Sequence, residues 1–200
     1  MSAIRINSVN FAPIIKDSHL IKKKINMVNH NVNHKTTELI NSFKDKDKIR
    51  VLFVCMGNIC RSPAAEAIFR NIVEQHDDAD RFIIDSAGTG GYHVGDLPDR
   101  RMRVHARNRG LELTHICRKV SVEDFNDFDI IIGMDASNVQ NLRRLAPSVE
   151  DARKVHAMAE YFPAGSRFDC VPDPYYEGAE GFELVLDLLQ DACLNLYEKL

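Results

Sequence analysis

The chain has no tryptophan, no Cys-x2-Cys pair and no long apolar run. The apolar run near the front, Val51 to Met56, is far shorter than the ~20 residues that cross a bilayer. No apolar segment with a small-residue cleavage site opens the chain. Secretion is therefore not expected, no membrane association is expected, and a cytoplasmic location is. A large charge of either sign is also lacking: 26 Lys/Arg against 29 Asp/Glu leave −3, which argues against a general nucleic-acid binder. The five cysteines, at 55, 60, 117, 170 and 193, are odd in number. That excludes a disulfide framework or zinc ribbon and suits a reducing compartment with one working thiol. His93, His105 and His115 lack ligand spacing, so no metal and no other cofactor is expected. What remains is a chain of 200 residues, 44% hydrophobic and 28% charged: one soluble domain, or one domain with a tail.

Glycine is absent from residues 1–48, and all ten glycines follow. The same 48 residues hold nine basic and four acidic side chains, a charge of +5, and seven Asn. Two short apolar patches, Leu20/Ile21/Ile25/Val28 and Leu39/Ile40/Phe43, are each marginal for a helix. Residues 1–48 are read as a basic, poorly ordered extension, with Met27 an alternative start and Lys22 to Lys24 a solvated face. Residues 49–200 carry −8 and a regular pattern. Strands are expected over 50–54, 81–85, 128–134 and 154–158, with helices over 62–76, 99–110, 135–145 and 180–200. Near-continuous apolar strands alternating with helices predict an α/β fold, a parallel sheet covered on both faces.

The first strand runs into Cys55-Met56-Gly57-Asn58-Ile59-Cys60-Arg61-Ser62-Pro63. Cys-x5-Arg is a weak signal by itself. Between a strand and a helix start it describes a loop whose N–H groups can turn inward around one tetrahedral anion. Arg61 can clamp two oxygens of that anion, and the same positive field favours the Cys55 thiolate as nucleophile. Ser62 can then stabilise the sulfur as a leaving group. Expelling an aryl alkoxide needs an acid, and Asp173, held between Pro172 and Pro174, is the candidate. Tyr175 and Tyr176 can wall an aromatic slot.

With both segments in view, residues 49–200 resemble the low-molecular-weight protein tyrosine phosphatases. Asp85-Ser86-Ala87-Gly88-Thr89, Thr114-His115 and Met134-Asp135 with Asn138 also look like family positions. The resemblance implies a doubly wound, four-stranded parallel sheet with helices on both faces and the loop at the carboxyl end of the first strand. It implies hydrolysis of phosphotyrosine and small aryl phosphates through a cysteinyl-phosphate intermediate. In that reading Cys55 is the nucleophile, Arg61 the clamp and Asp173 the general acid, then base. Met56, Gly57, Asn58, Ile59 and Cys60 form the loop, and Asn58, Ser62, Ser86 and His115 hold it. The substrates implied are phosphotyrosine proteins, and some bacterial members oppose tyrosine kinases of polysaccharide export.

Residues 1–48 have no counterpart in that family, and Tyr92 stands where many members carry Trp. Tyr92 is thus the expected aromatic rim, with Asp96, Asp99, Arg100 and Arg101 as solvated charges beside it. Two enzymes of similar loop remain as alternatives. Arsenate reductases relay a disulfide through closely spaced cysteines, whereas Cys117 and Cys170 are far apart in this chain. Phosphoarginine phosphatases are recognised by Thr where Ile59 stands. Cys60 has two readings, a small buried hydrophobe or a thiol that traps oxidised Cys55 as a disulfide.

Overall fold

The computed structural model describes Phe43 and residues 46–200, and the expectations for the remaining front residues lie outside them. Strand β1 (Ile49–Cys55) is buried at every position except Arg50. Its hydrogen bonds are made on both edges, to β2 (Phe82–Gly88) and to β3 (Ile130–Gly133), both parallel. A three-residue β4 (Val155–Ala157) pairs with β3, so the strand order is β2-β1-β3-β4. The chain leaves β1 toward β2 and returns on the other side at β3. This places the carboxyl end of β1 at the topological switch point, where ligands enter open α/β sheets.

A strand in mid-sheet buries both of its faces, which is why no polar alternation marks β1. On one face Leu52 and Val54 join Phe125, Phe128, Ile131, Val139 and Leu142. This cluster is closed by α3 (Asp124–Asp127) and α4 (Ala136–Leu145). On the other, Phe53 meets Phe69 edge-on at 5.7 Å, and Phe69 meets Phe82 at 5.4 Å. Phe69 belongs to α1 (Arg61–Gln75), which packs against α6 (Ala179–Tyr197). The α6 stripe Phe182, Val185, Leu189, Cys193 and Leu196 is buried, joined by Leu186, Leu188 and Ala192.

Of two further helices, the first stands where it was expected and the second does not. α2 (Arg100–Asn108) begins after Asp99, whose side chain accepts the Arg101 N–H, and Gly110 follows it at φ 78°. α5 (Val149–Arg153) was not expected at all; Ser148 caps it by accepting the Asp151 N–H. Four strands stand where four were expected, with β3 and β4 shorter at both ends. Among the described residues no helix is long and apolar enough to cross a membrane.

Candidate active site

The loop between β1 and α1 is shaped from outside, through its carbonyl groups. Thr89 N–H donates to Cys55 O at 2.9 Å, Gly90 N–H to Met56 O at 2.8 Å and Asp99 N–H to Ile59 O at 2.8 Å. The Cys117 thiol donates to Asn58 O at 2.8 Å. With these oxygens held outward, the intervening peptide N–H groups turn toward the loop centre. The inward side is seen at Asn58, whose N–H lies 3.3 Å from Cys55 Sγ. The helix adds to this field. Cys60 provides no side-chain cap to α1, and its first turn holds no acidic residue, so the N-terminal dipole is free to act on an anion.

The turn requires Asn58 at φ 58°, a left-handed conformation that costs a non-glycine residue about 1–2 kcal/mol. Four neighbours hold it there. Asn58 Nδ2 donates to Ser62 Oγ at 3.0 Å and to Ser86 Oγ at 2.9 Å. Asn58 Oδ1 accepts from His115 Nε2 at 2.9 Å and from the Arg118 N–H at 2.8 Å. The segment carrying His115, Cys117 and Arg118 is fixed in turn on β2, since Gly88 N–H donates to Arg118 O and Val120 N–H to Gly88 O. A Cβ at Gly88 would stand 2.9 Å from Met56 O and 3.1 Å from Asn58 N, so only glycine lets the loop backbone approach β2 this closely.

Behind this network lies Glu66, which sequence reasoning missed. Ser86 Oγ donates to Glu66 Oε2 at 2.7 Å, and His115 Nδ1 lies 3.1 Å from the same oxygen. Burial alone would raise the Glu66 pKa. The hydrogen bonds from His115 and Ser86, with the charges of His115 and Arg70, outweigh burial and hold its carboxyl below the usual range. The available signal was spacing, because Glu66 follows Ser62 by one helical turn.

A depressed carboxylate contributes stability that is present above its unfolded pKa and lost as pH falls through its folded value. Glu66→Gln should therefore lower Tm by roughly 3–8 °C at pH 7. The gap to wild type should narrow once pH falls below the usual glutamate range and close as pH passes through the still lower folded value, where the wild-type carboxylate is protonated as well. Thermal unfolding of both proteins between pH 3 and 8 measures it, and a gap independent of pH would remove the carboxylate from this role. Glu66, Asp85 and His115 bring ligand atoms within 4.8 Å of one another. They are engaged by Ser86, Arg70, Arg118 and Asn58, which ties the trio into the network around Asn58.

Cys55 sits at the floor of the site, 2% exposed, with Sγ 3.1 Å from Ser62 Oγ. The thiol is thus buried rather than open to solvent. Arg61, 3% exposed, is a cation on the cavity wall, where it faces Asp135 and Asp173. Its Nη1 donates to Asp135 Oδ2 at 2.6 Å and its Nη2 to Asp173 Oδ2 at 2.5 Å. Burial disfavours the Arg61 cation, but the negative charge of Cys55, Asp173 and Asp135 more than offsets it, so the guanidinium remains charged. Asp173, 112 positions after Arg61, is thus brought to the loop by β3, whose end pairs with the arriving segment through Val171 N–H to Met134 O. Its other oxygen accepts the Tyr175 N–H at 3.1 Å.

Arg61, Asp135 and Asp173 line a cavity of 410 Å³ with Met56, Thr89, Tyr92, Asn138 and Cys170 on its wall, and Cys55 lies off that lining. Tyr92 is the aromatic residue of that wall. Tyr175 and Tyr176 are not on it: they stack edge-on at 5.0 Å, Tyr175 under the Arg101 guanidinium, and Tyr176 is 94% exposed. Cys60 is buried at the loop's end, and burial, then the charges of Asp99 and Cys55, pushes its thiol well up. Burial likewise pushes Cys117 up to about 11. Asp135, noted in the sequence only as a family position, proves to be a direct partner of Arg61 and also the cap of α4.

The geometry is a concave anion site with a buried thiol, a paired guanidinium and a second carboxyl placed to pass a proton. Comparison with known proteins gives a consistent result. Residues 50–200 match the family model described as low molecular weight phosphotyrosine protein phosphatase. A protein of that description from Schizosaccharomyces pombe is 49% identical over 135 residues, 67% of this chain and 85% of the relative. A low molecular weight protein-tyrosine-phosphatase of Streptomyces coelicolor is 44% identical over 148 residues, 74% of this chain and 90% of the relative. Among solved structures, a protein tyrosine phosphatase from Entamoeba histolytica with Hepes in its active site superposes with a TM-score of 0.73 at 42% identity. The match covers 76% of this chain and 96% of that one.

Proposed function

Since the chain belongs to the low molecular weight phosphotyrosine protein phosphatases, a family of hydrolases, we propose that Cys55, Arg61 and Asp173 carry a two-step phosphoryl transfer from phosphotyrosine. The observation that carries the assignment is the convergence of a β1–α1 anion loop and a distant Asp on one guanidinium. In the first step the Cys55 thiolate attacks phosphorus, the P–O(aryl) bond breaks, and the proton of Asp173 passes to the leaving phenolate oxygen. In the second, Asp173 takes a proton from water as that water attacks the cysteinyl phosphate. The P–S bond breaks, inorganic phosphate leaves, and Ser62 steadies the departing thiolate.

Arg61 couples the two ends of the site. A phosphoryl dianion and an ionised Asp173 on one guanidinium repel each other. Substrate therefore displaces the Asp173 carboxylate or binds beside its protonated form, and that protonated form delivers the proton. Ile59 and the aromatic Tyr92 support an aryl substrate over a guanidine phosphate. A cytoplasmic location and a tyrosine kinase as the opposing partner complete the proposal.

Asp173→Ala tests the assignment. Removing the acid should cost about 10²–10⁴-fold in kcat for phenyl phosphate, whose leaving group needs the proton, and much less for p-nitrophenyl phosphate. A series of aryl phosphates of graded leaving-group pKa measures the slope. An equal loss across the series would show that Asp173 is not the acid.

Residues 1–48 are proposed to be dispensable for turnover, with one refinement at their end. Phe43 is 3% exposed, and Lys46 Nζ pairs with Asp129 Oδ1 at 2.5 Å. A chain starting at Ser42 should match the full chain in kcat and Tm. One starting at Asp47 should keep kcat within about twofold, yet lose a buried aromatic worth roughly 2–3 kcal/mol, several degrees in Tm. Equal Tm for both truncations would place Phe43 outside the stabilising core.

A further inference from the structure

Once the phosphoryl group of a substrate engages Arg61, the general acid has to be held by something else. Among the described residues the other hydrogen bond to the Asp173 carboxyl comes from the Tyr175 N–H, which donates to Oδ1 at 3.1 Å. That bond leaves Oδ2, the oxygen facing Arg61, to carry the proton to the leaving group. The placing of Asp173 therefore depends on what fixes Tyr175. Its ring meets Tyr176, which at 94% exposure offers no anchor. Arg101 does. Its guanidinium lies 5.3 Å from the Tyr175 ring centroid and 4.9 Å from that of Phe182, a buried residue of α6 that is itself stacked on His105. Arg101 is also forked onto the Asp99 carboxylate, with Nε donating to Oδ1 at 3.1 Å and Nη2 to Oδ2 at 2.8 Å. Asp99 is the residue whose N–H holds Ile59 O of the anion loop. Neither is the solvated charge expected from sequence: the Asp99 side chain is 11% exposed, and Arg101 covers two rings.

We propose that Arg101 is a positioning residue for the general acid: it ties the Asp173-Pro174-Tyr175 segment to the anion loop and to α6, and so keeps the carboxyl in place when substrate takes Arg61. The proposal rests on the phosphatase reading above and adds to it an arginine that does not line the cavity. The residue type matters. A planar guanidinium bonds a carboxylate along its edge while its face covers an aromatic ring, and a compact ammonium does not combine the two. Misplacing a reacting group by about 1 Å costs up to about 10²-fold in rate, even when the change lies away from the chemistry. Here the cost falls on proton transfer, so it is largest for leaving groups that need the proton. Anion binding, which belongs to the loop N–H groups and Arg61, is spared.

The test uses the full chain and compares Arg101→Ala, Tyr175→Ala and the double variant with wild type, with Asp173→Ala as the reference. In Arg101→Ala kcat/KM for phenyl phosphate should fall about tenfold, and that for p-nitrophenyl phosphate by less than about twofold. Competitive inhibition by inorganic phosphate should stay within about twofold of wild type. Tyr175→Ala should show the same dependence on leaving group, and the double variant should lose no more than either single one, because both break one link. Tyr175 is 38% exposed, so its variant carries the comparison if Arg101→Ala fails to fold. Equal losses on the two substrates would overturn the positioning role and leave the phosphatase reading intact. So would additive losses in the double variant, or phosphate inhibition weakened in step with kcat/KM. Absence of leaving-group dependence in Asp173→Ala itself would instead overturn the assignment of the acid, and this proposal with it.

Discussion

Cys55→Ser should reduce turnover of p-nitrophenyl phosphate at least about 10⁴-fold while inorganic phosphate still binds. A serine hydroxyl in this position is a poor nucleophile without a base. The groups within reach of Cys55 Sγ are the Asn58 N–H and the Ser62 hydroxyl, which stabilise a thiolate but do not abstract a proton from an alcohol. The anion cradle itself does not depend on sulfur. It is shaped by the bonds that hold the loop carbonyls outward, by the α1 N-terminus and by Arg61, all of which remain. Steady-state rates together with phosphate titration by calorimetry separate the two effects. Turnover within tenfold of wild type would exclude a cysteinyl-phosphate route, whereas loss of phosphate binding would mean that Cys55 also holds the loop in shape.

Arg61→Lys should cost about 10³-fold in kcat/KM, although charge is conserved. In the wild type one planar group reaches Asp135 at 2.6 Å through Nη1 and Asp173 at 2.5 Å through Nη2. A compact ammonium cannot serve both carboxylates and two phosphoryl oxygens with the same fixed spacing. The variant therefore loses clamp geometry and also sets Asp135 and Asp173 against each other across an incompletely filled space. Competitive inhibition by phosphate should weaken in parallel with kcat/KM, because ground state and transition state share the clamp. A loss below tenfold, or unchanged phosphate inhibition, would assign anion binding to the loop amides alone.

The fold class and the nucleophile loop were legible in the sequence because both are written locally. Val51 to Val54 is apolar without alternation, which only a strand covered on both faces accommodates. Cys55 through Pro63 couples a strand end to a helix start within nine residues, so spacing alone places thiol, Arg and helix N-terminus around one point. Asp173 was also legible, through two prolines and the adjacent tyrosines. Its partner was not, since nothing local connects position 173 with position 61. That contact exists because β3 lies beside β1 and its end carries the incoming segment, by Val171 N–H to Met134 O.

The same reason explains what sequence reasoning missed. Glu66, Asp135 and the neighbouring Cys117 and Arg118 act on the loop from three different segments, and each is an ordinary residue in its own segment. Glu66 reaches the loop through Ser86 and His115, Cys117 through Asn58 O, and Asp135 through Arg61. Tyr175 and Tyr176 show the converse. Their adjacency to Asp173 suggested a slot, but the turn after Pro174 directs them to each other and to Arg101, and Tyr92 faces the cavity instead. Sequence by itself determined most of the elements and pointed to the anion loop and the proposed reacting groups, because those depend on periodicity and short spacing. The pairing of Arg61 with two carboxylates, the burial of Cys55 and the parts of Glu66 and Arg118 in supporting Asn58 were decided only by tertiary structure. Each depends on which strands become neighbours, and hydrogen bonds across that distance leave no pattern along the chain.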